Sequence, residues 1–188
     1  MKNSAVNSFA KRPINRALFR FMALILIGTG TAWASDDSRQ SASSGECEPT
    51  EQQQEMLNLV NEARSQARLC GEQSFDSVKP LTWSCKLHDA AKAHSKDMAE
   101  NQYFSHTSPE GVGIEQRVEE QDYVWRAVGE NIAAGHMSAS AVIEGWLESP
   151  GHCSNIMNGA FTQMGMAKAD NPESRYTTYW TQALGRPR

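Results

Sequence analysis

The apolar residues of this chain recur at helical spacing through its first part and alternate like strands in its last, and that order points to an α+β fold. Thr50-x-x-Gln53 is a capping-box pattern, and Met56, Leu57, Val60, Ala63 and Ala67 follow on one helical face, with Gly71 expected to end the helix. Ser84 can cap a second helix carrying Leu87, Ala90, Ala91, His94 and Met98 on one side. Residues 114–121 read as a short third helix. A fourth starts at Ser138 or Ser140, turns Val142, Ile143, Trp146 and Leu147 inward, and is expected to stop at Pro150-Gly151. The period then changes. Residues 161–167 and 176–182 read as strands, and Asp170-Asn171-Pro172-Glu173 between them reads as the turn of an antiparallel hairpin.

The ends of the chain bound its setting. Lys2, Lys11, Arg12, Arg16 and Arg20 form a basic leader, Phe21 to Ile27 is an apolar run, and Ala32-Trp33-Ala34 is a small-x-small cleavage pattern. Residues 1–34 therefore read as an export signal. The apolar run is far shorter than the ~20 residues of a spanning helix, so no stable membrane anchor is expected once the signal is cleaved. Residues 35–48 are rich in Ser, Asp and Gln and read as a flexible leader. Residues 49–188 read as a single domain, long enough to bury a core unaided. The signal holds five of the 18 basic residues and none of the 22 acidic ones, so the remainder has 13 basic against 22 acidic side chains, a net charge of −9. A domain this acidic, with no basic stripe, is not expected to bind nucleic acid or anionic lipid. Its location is expected to be periplasmic or secreted.

Cys47, Cys70, Cys85 and Cys153 all follow the signal. An even count in an exported chain predicts two disulfides. Loop length favours Cys70–Cys85 with Cys47–Cys153, but Cys70–Cys153 would equally tie the first helix to the loop around His152. The spacings contain no C-x-x-C, which argues against a thiolate zinc site.

Three polar residues stand out as a site. His106 lies in Phe104-Ser105-His106, Glu130 in Gly129-Glu130-Asn131, and His152 in Ser149-Pro150-Gly151-His152-Cys153. Two neutral imidazoles with a nearby carboxylate suit zinc or a similar divalent ion, and Glu130 could ligate, orient a His or serve as a base. The bland alternative is that all three brace loops through local hydrogen bonds. His94, on an apolar helix face, reads as a packing histidine. Ser105 beside His106 raises a serine-hydrolase reading, but sequence neighbours seldom face one another productively, and no Gly-x-Ser-x-Gly elbow occurs.

Motifs along the whole expected domain resemble secreted bacterial members of the CAP superfamily, also called SCP, pathogenesis-related-1-like or antigen 5. They are Asn61-Glu62-Ala63-Arg64, Pro80-Leu81-Thr82-Trp83, His94-Ser95-x-Asp97-Met98, the three site segments, Asn155-Ile156-Met157, Phe161-Thr162-x-Met164-Gly165 and Tyr179-Trp180-Thr181-Gln182. The resemblance implies an α-β-α sandwich, with a small antiparallel sheet between helical layers. It also implies a cleft of two His and two Glu, in which His106, Glu130 and His152 match motif positions and Glu148 takes the fourth, with Glu144 as its alternate. The expected function is an exported binding scaffold whose His/Glu cleft takes zinc or another divalent cation and an extracellular ligand, whether lipid, glycan or peptide. A metal-dependent hydrolase or protease acting on envelope or host polymers, with Glu130, His106 and His152 as its catalytic groups, is the alternative. Purely structural cleft residues are a third reading.

Overall fold

A computed structural model describes residues 48–188. The expected export signal, Cys47 and all but the last residue of the expected leader lie outside the described residues.

The helices form where caps and apolar stripes coincide. Helix α1 (Glu51–Arg64) begins at the capping box, with Thr50 N–H donating to Gln53 Oε1 at 2.8 Å. It buries Met56, Leu57, Val60 and Ala63. It ends at Ser65, earlier than expected, because Arg64 is drawn inside to donate to four backbone carbonyls. Strands β1 (Arg68–Cys70) and β2 (Gln73–Phe75) come next as a hairpin, and Gly71 at φ +64° is its turn rather than a helix end. Strand β3 (Thr82–Trp83) is a two-residue piece. Helix α2 (Cys85–Glu100) is capped by Ser84 and α3 (Ile114–Glu119) is one short stretch.

Strand β4 (Trp125–Ala134) has no counterpart among the expected elements. Glu130 and Asn131 interrupt the apolar alternation that marks a half-buried strand, yet both are buried and both are bonded. Helix α4 (Ala139–Glu148) starts at Ser138. Pro150 does not simply stop the chain. Ser149 closes α4 and opens α5 (Pro150–Ile156), with Pro150 in its first turn, where the missing N–H costs nothing. Strands β5 (Gln163–Asn171) and β6 (Thr177–Pro187) form the expected hairpin, extended beyond the expected bounds.

The sheet runs β3-β5-β6-β4, with β4 at one edge. Its β4–β6 and β5–β6 pairs are antiparallel, and the short β3–β5 pair is parallel. One face carries Met164, Met166, Trp180, Leu184 and Ala133 against α1, α4 and α5. The other carries Ala167, Ala183, Ile132 and Tyr179 against α2 and α3. This is the expected α-β-α sandwich. Cys70 and Cys153 form a disulfide, with Cα atoms 5.4 Å apart, and so tie the β1–β2 hairpin to α5. Cys85 is disulfide-bonded as well.

Candidate functional site

Alternation along β4 decides which layer each polar side chain meets. Glu130 points, like Ile132, toward α2 and α3; Asn131 points, like Ala133, toward α5. His106 lies in the loop between α2 and α3, and His152 lies in the first half of α5. The two histidines thus approach the open edge of the sheet from its two sides.

Glu130 is the hub on the α2 side. Its side chain is 3% exposed. Oε2 accepts from Arg117 Nη2 at 2.7 Å, and Oε1 lies 2.8 Å from His106 Nδ1. The paired carboxylate is acceptor-only, so Nδ1 of His106 carries the proton and Nε2 keeps the lone pair. The His106 side chain is 56% exposed, which turns that nitrogen toward solvent. Arg117, itself buried, also donates to the carbonyls of His106 (2.9 Å) and Val112 (2.7 Å). One guanidinium therefore holds both the carboxylate and the loop that carries its imidazole partner. His94 is 1% exposed, and its Nε2 lies 3.0 Å from the Ser105 carbonyl and 3.9 Å from Glu130 Oε1. The packing reading of His94 captures its burial but not these polar contacts.

Amides hold the other side. Asn131 Nδ2 donates to the His152 carbonyl at 3.2 Å and to Gln182 Oε1 at 2.9 Å. Asn155 Nδ2 donates to the Glu130 carbonyl at 3.1 Å and to Asn131 Oδ1 at 2.9 Å. The edge of β4, which would otherwise expose unpaired backbone, is thereby partly closed, and α5 is fastened beside it.

Glu144 and Glu148 stand apart from this cluster. Both lie on the outer side of α4 and line a groove of about 590 Å³ against α1, with Leu59, Glu62, Ala63 and Leu147 among its walls. Among the described residues, no group of three His, Cys, Asp or Glu side chains is placed to hold a metal ion. Of the expected ligands, His106 and His152 keep donor capacity, whereas each Glu130 oxygen already has a protein partner.

Two imidazoles in this region are shifted. Burial lowers His94 below its ordinary value, opposed by Glu130 and aided by Arg117. Burial and then the charge of nearby His106 lower His152. The unfolded chain thus binds more protons than the folded one between these lowered values and about 6.5. The associated stability is complete above about pH 6.5 and is lost as pH falls through the folded values. The melting temperature is expected to fall as pH is lowered from about 7.5 to about 5.5, and His152→Ala to make that fall shallower. Equal melting temperatures across the window would contradict the shifts.

Comparison with known proteins places this architecture. The family model for the cysteine-rich secretory protein family, CAP, matches residues 57–184. The chain belongs to this family. It is 33% identical over 117 residues to the uncharacterized membrane protein YlbC of Bacillus subtilis (strain 168), covering 62% of this chain and 31% of that protein. A crystal structure of an extracellular SCP-domain protein from Bacillus anthracis is 32% identical, with a TM-score of 0.58, over 76% of this chain and 45% of that one. An outer surface protein of Borrelia burgdorferi shares the fold at 19% identity and a TM-score of 0.57, over 72% of this chain and 89% of that one. The chain spans less than half the length of both Bacillus proteins. Among the described residues, no helix is long and apolar enough to cross a membrane.

Proposed function

We propose that the protein is an exported binding module that takes a divalent cation, zinc or a similar ion, between His106 and His152. The observation that carries this reading is the 2.8 Å contact from His106 Nδ1 to the buried Glu130 carboxylate, which leaves a solvent-facing Nε2 lone pair near His152. A carboxylate behind an imidazole orients the ring and raises its basicity as a ligand. Two imidazoles leave the remaining coordination positions to water or to an extracellular ligand such as a lipid, glycan or peptide. The ion would supply that open coordination, and the protein supplies the oriented ring. Glu130 acts from behind His106 and does not ligate. With one oxygen on Arg117 and the other on His106, it is also poorly placed to activate water, which favours binding over hydrolysis. The extracellular description of the Bacillus anthracis relative supports export.

The test is a calorimetric zinc titration of the oxidised protein beside the His106→Ala/His152→Ala double variant, with folding checked by circular dichroism. Saturable binding in the parent, absent from the folded variant, is the expected outcome. A parent that takes up no zinc would overturn the metal reading and favour a structural His pair.

A further inference from the structure

We infer that His94 is a positioning residue for the cleft: a buried imidazole that holds the His106 loop and helps keep the Nε2 lone pair of His106 outward. The inference rests on the reading of His106 as a ligand for its affinity readout, and has a second readout that does not need metal.

Three contacts carry it. His94 Nε2 lies 3.0 Å from the Ser105 carbonyl, so the peptide unit immediately before His106 is anchored to α2. The same nitrogen lies 3.9 Å from Glu130 Oε1, the oxygen that receives His106 Nδ1–H. On the far side of the ring, Nδ1 lies 3.4 Å from the Tyr103 hydroxyl, which in turn donates to Asp97. Tyr103 thus packs against one edge of the ring while giving its proton to Asp97, and the opposite edge meets the Ser105 carbonyl and faces Glu130. A carbonyl only accepts, so the His94 nitrogen facing Ser105 must be protonated. The same ring edge stands beside the Glu130 oxygen that receives His106 Nδ1–H, so His94 packs against both the loop and the carboxylate that orient His106.

Packing alone does not account for this arrangement. A buried apolar side chain of similar size would fill the space between α2 and β4, but it would leave the Ser105 carbonyl without its donor. It would also remove one of three nitrogen groups around Glu130. Arg117 holds the His106 carbonyl from the other side, so the loop is clamped on both flanks of the residue whose ring must point outward. Neither clamp residue is a member of the expected ligand set.

The experiment compares His94→Leu with His94→Gln by zinc titration and by nitrogen-15 NMR of the His106 ring without metal. Leu keeps the bulk and loses the donor; Gln retains an N–H that can reach the carbonyl. We expect His94→Leu to lower zinc affinity about 10- to 100-fold, as removal of a group behind a ligand does, and to shift His106 from the Nδ1–H form toward a mixture of tautomers. His94→Gln is expected to restore most of both. If His94→Leu fails to fold, His94→Met takes its place, since it also fills the space without a donor for the Ser105 carbonyl; the same change in the two readouts is then expected. Unchanged His106 tautomer and zinc affinity in the folded variant would overturn the inference. So would equal losses in the Leu and Gln variants that merely track their melting temperatures. A parent that binds no zinc overturns the metal reading instead, and the tautomer measurement then decides this one alone.

Discussion

Replacing Gly165 with Ala is expected to cost about 4 kcal/mol or more, among the largest effects of a single methyl group, and to lower the melting temperature by roughly 10 °C. Gly165 lies on β5 where α2 crosses the sheet. A Cβ there would stand 2.0 Å from the His88 backbone nitrogen and 2.3 Å from the Leu87 carbonyl carbon. Those atoms belong to the helix backbone and cannot rotate aside. To admit the methyl group, α2 must rise from the sheet. Leu87, Ala90 and Ala91, each fully buried, would lose contact, and Ser95 Oγ would lose its bonds to the Ala167 carbonyl and Thr181 Oγ1. His94 and the His106 loop leave from the same helix, so the cleft would move with it. Thermal unfolding monitored by circular dichroism measures the effect, with Gly159→Ala as control. A Cβ on Gly159 meets only the Val78 side chain at 3.4 Å, an ordinary contact, and that change should stay within about 0.5 kcal/mol. A Gly165→Ala protein as stable as the control would show that α2 is held loosely, despite its close approach to β5.

The contrast between Gly165 and β4 shows what local pattern carries and what it does not. Caps and apolar stripes announce α1, α2 and α4, because a helix signals itself within a few residues. The β5–β6 hairpin is legible from alternation and its turn. Strand β4 is not, because Glu130 and Asn131 are polar residues in buried positions, and the partners that permit them there come from distant parts of the chain. Arg117 and His106 satisfy Glu130, while Gln182 and Asn155 satisfy Asn131. No window of sequence contains those partners. The same reason explains why nothing local marks Arg117 and why His94, set in an apolar stripe, reads only as packing. The orientation of Glu144 and Glu148 is legible in principle. Inward Val142, Ile143 and Trp146 already turn positions 144 and 148 outward on the α4 wheel. Gly71 and Pro150 are recognisable breakers, but a breaker does not specify the element on its far side. The disulfide pairing is open in the sequence for a related reason: only the placement of the β1–β2 hairpin against α5 selects Cys70–Cys153.

Arg64→Met is expected to lower stability by about 4 kcal/mol, a comparable loss from the opposite layer. Arg64 is 1% exposed. Nε and Nη2 donate to the Lys79 carbonyl at 3.0 and 2.7 Å. Nη1 donates to Ile156 and Asn158 at 2.6 and 3.1 Å, and Nη2 to Phe161 at 3.4 Å. These partners are all backbone carbonyls, so oxygen dipoles rather than a carboxylate balance the buried charge. Burial lowers the guanidinium to about 10, still protonated at neutral pH. Met would fill similar space and remove the cost of burying a charge, which can make such a swap benign when both partners leave. Here only one partner leaves. Four carbonyls remain in place; Asn158 keeps the Phe161 N–H as a donor, and each of the others buried without one costs about 1–3 kcal/mol. Arg64→Lys offers three donors from a single point and cannot reproduce the planar fork; about half the loss is expected. Urea denaturation midpoints of the three proteins measure the series. The effect should also reach the cleft, since Ile156, Asn158 and Phe161 lie at the end of α5 and in the segment beyond it. In Arg64→Lys, the His152 ring signals are expected to shift while those of His106, held by Glu130 on the other face, stay in place. An Arg64→Met protein within about 1 kcal/mol of the parent would mean that those carbonyls find water or one another. The guanidinium would then be a passenger in the core rather than the tie between α1 and the α5 segment.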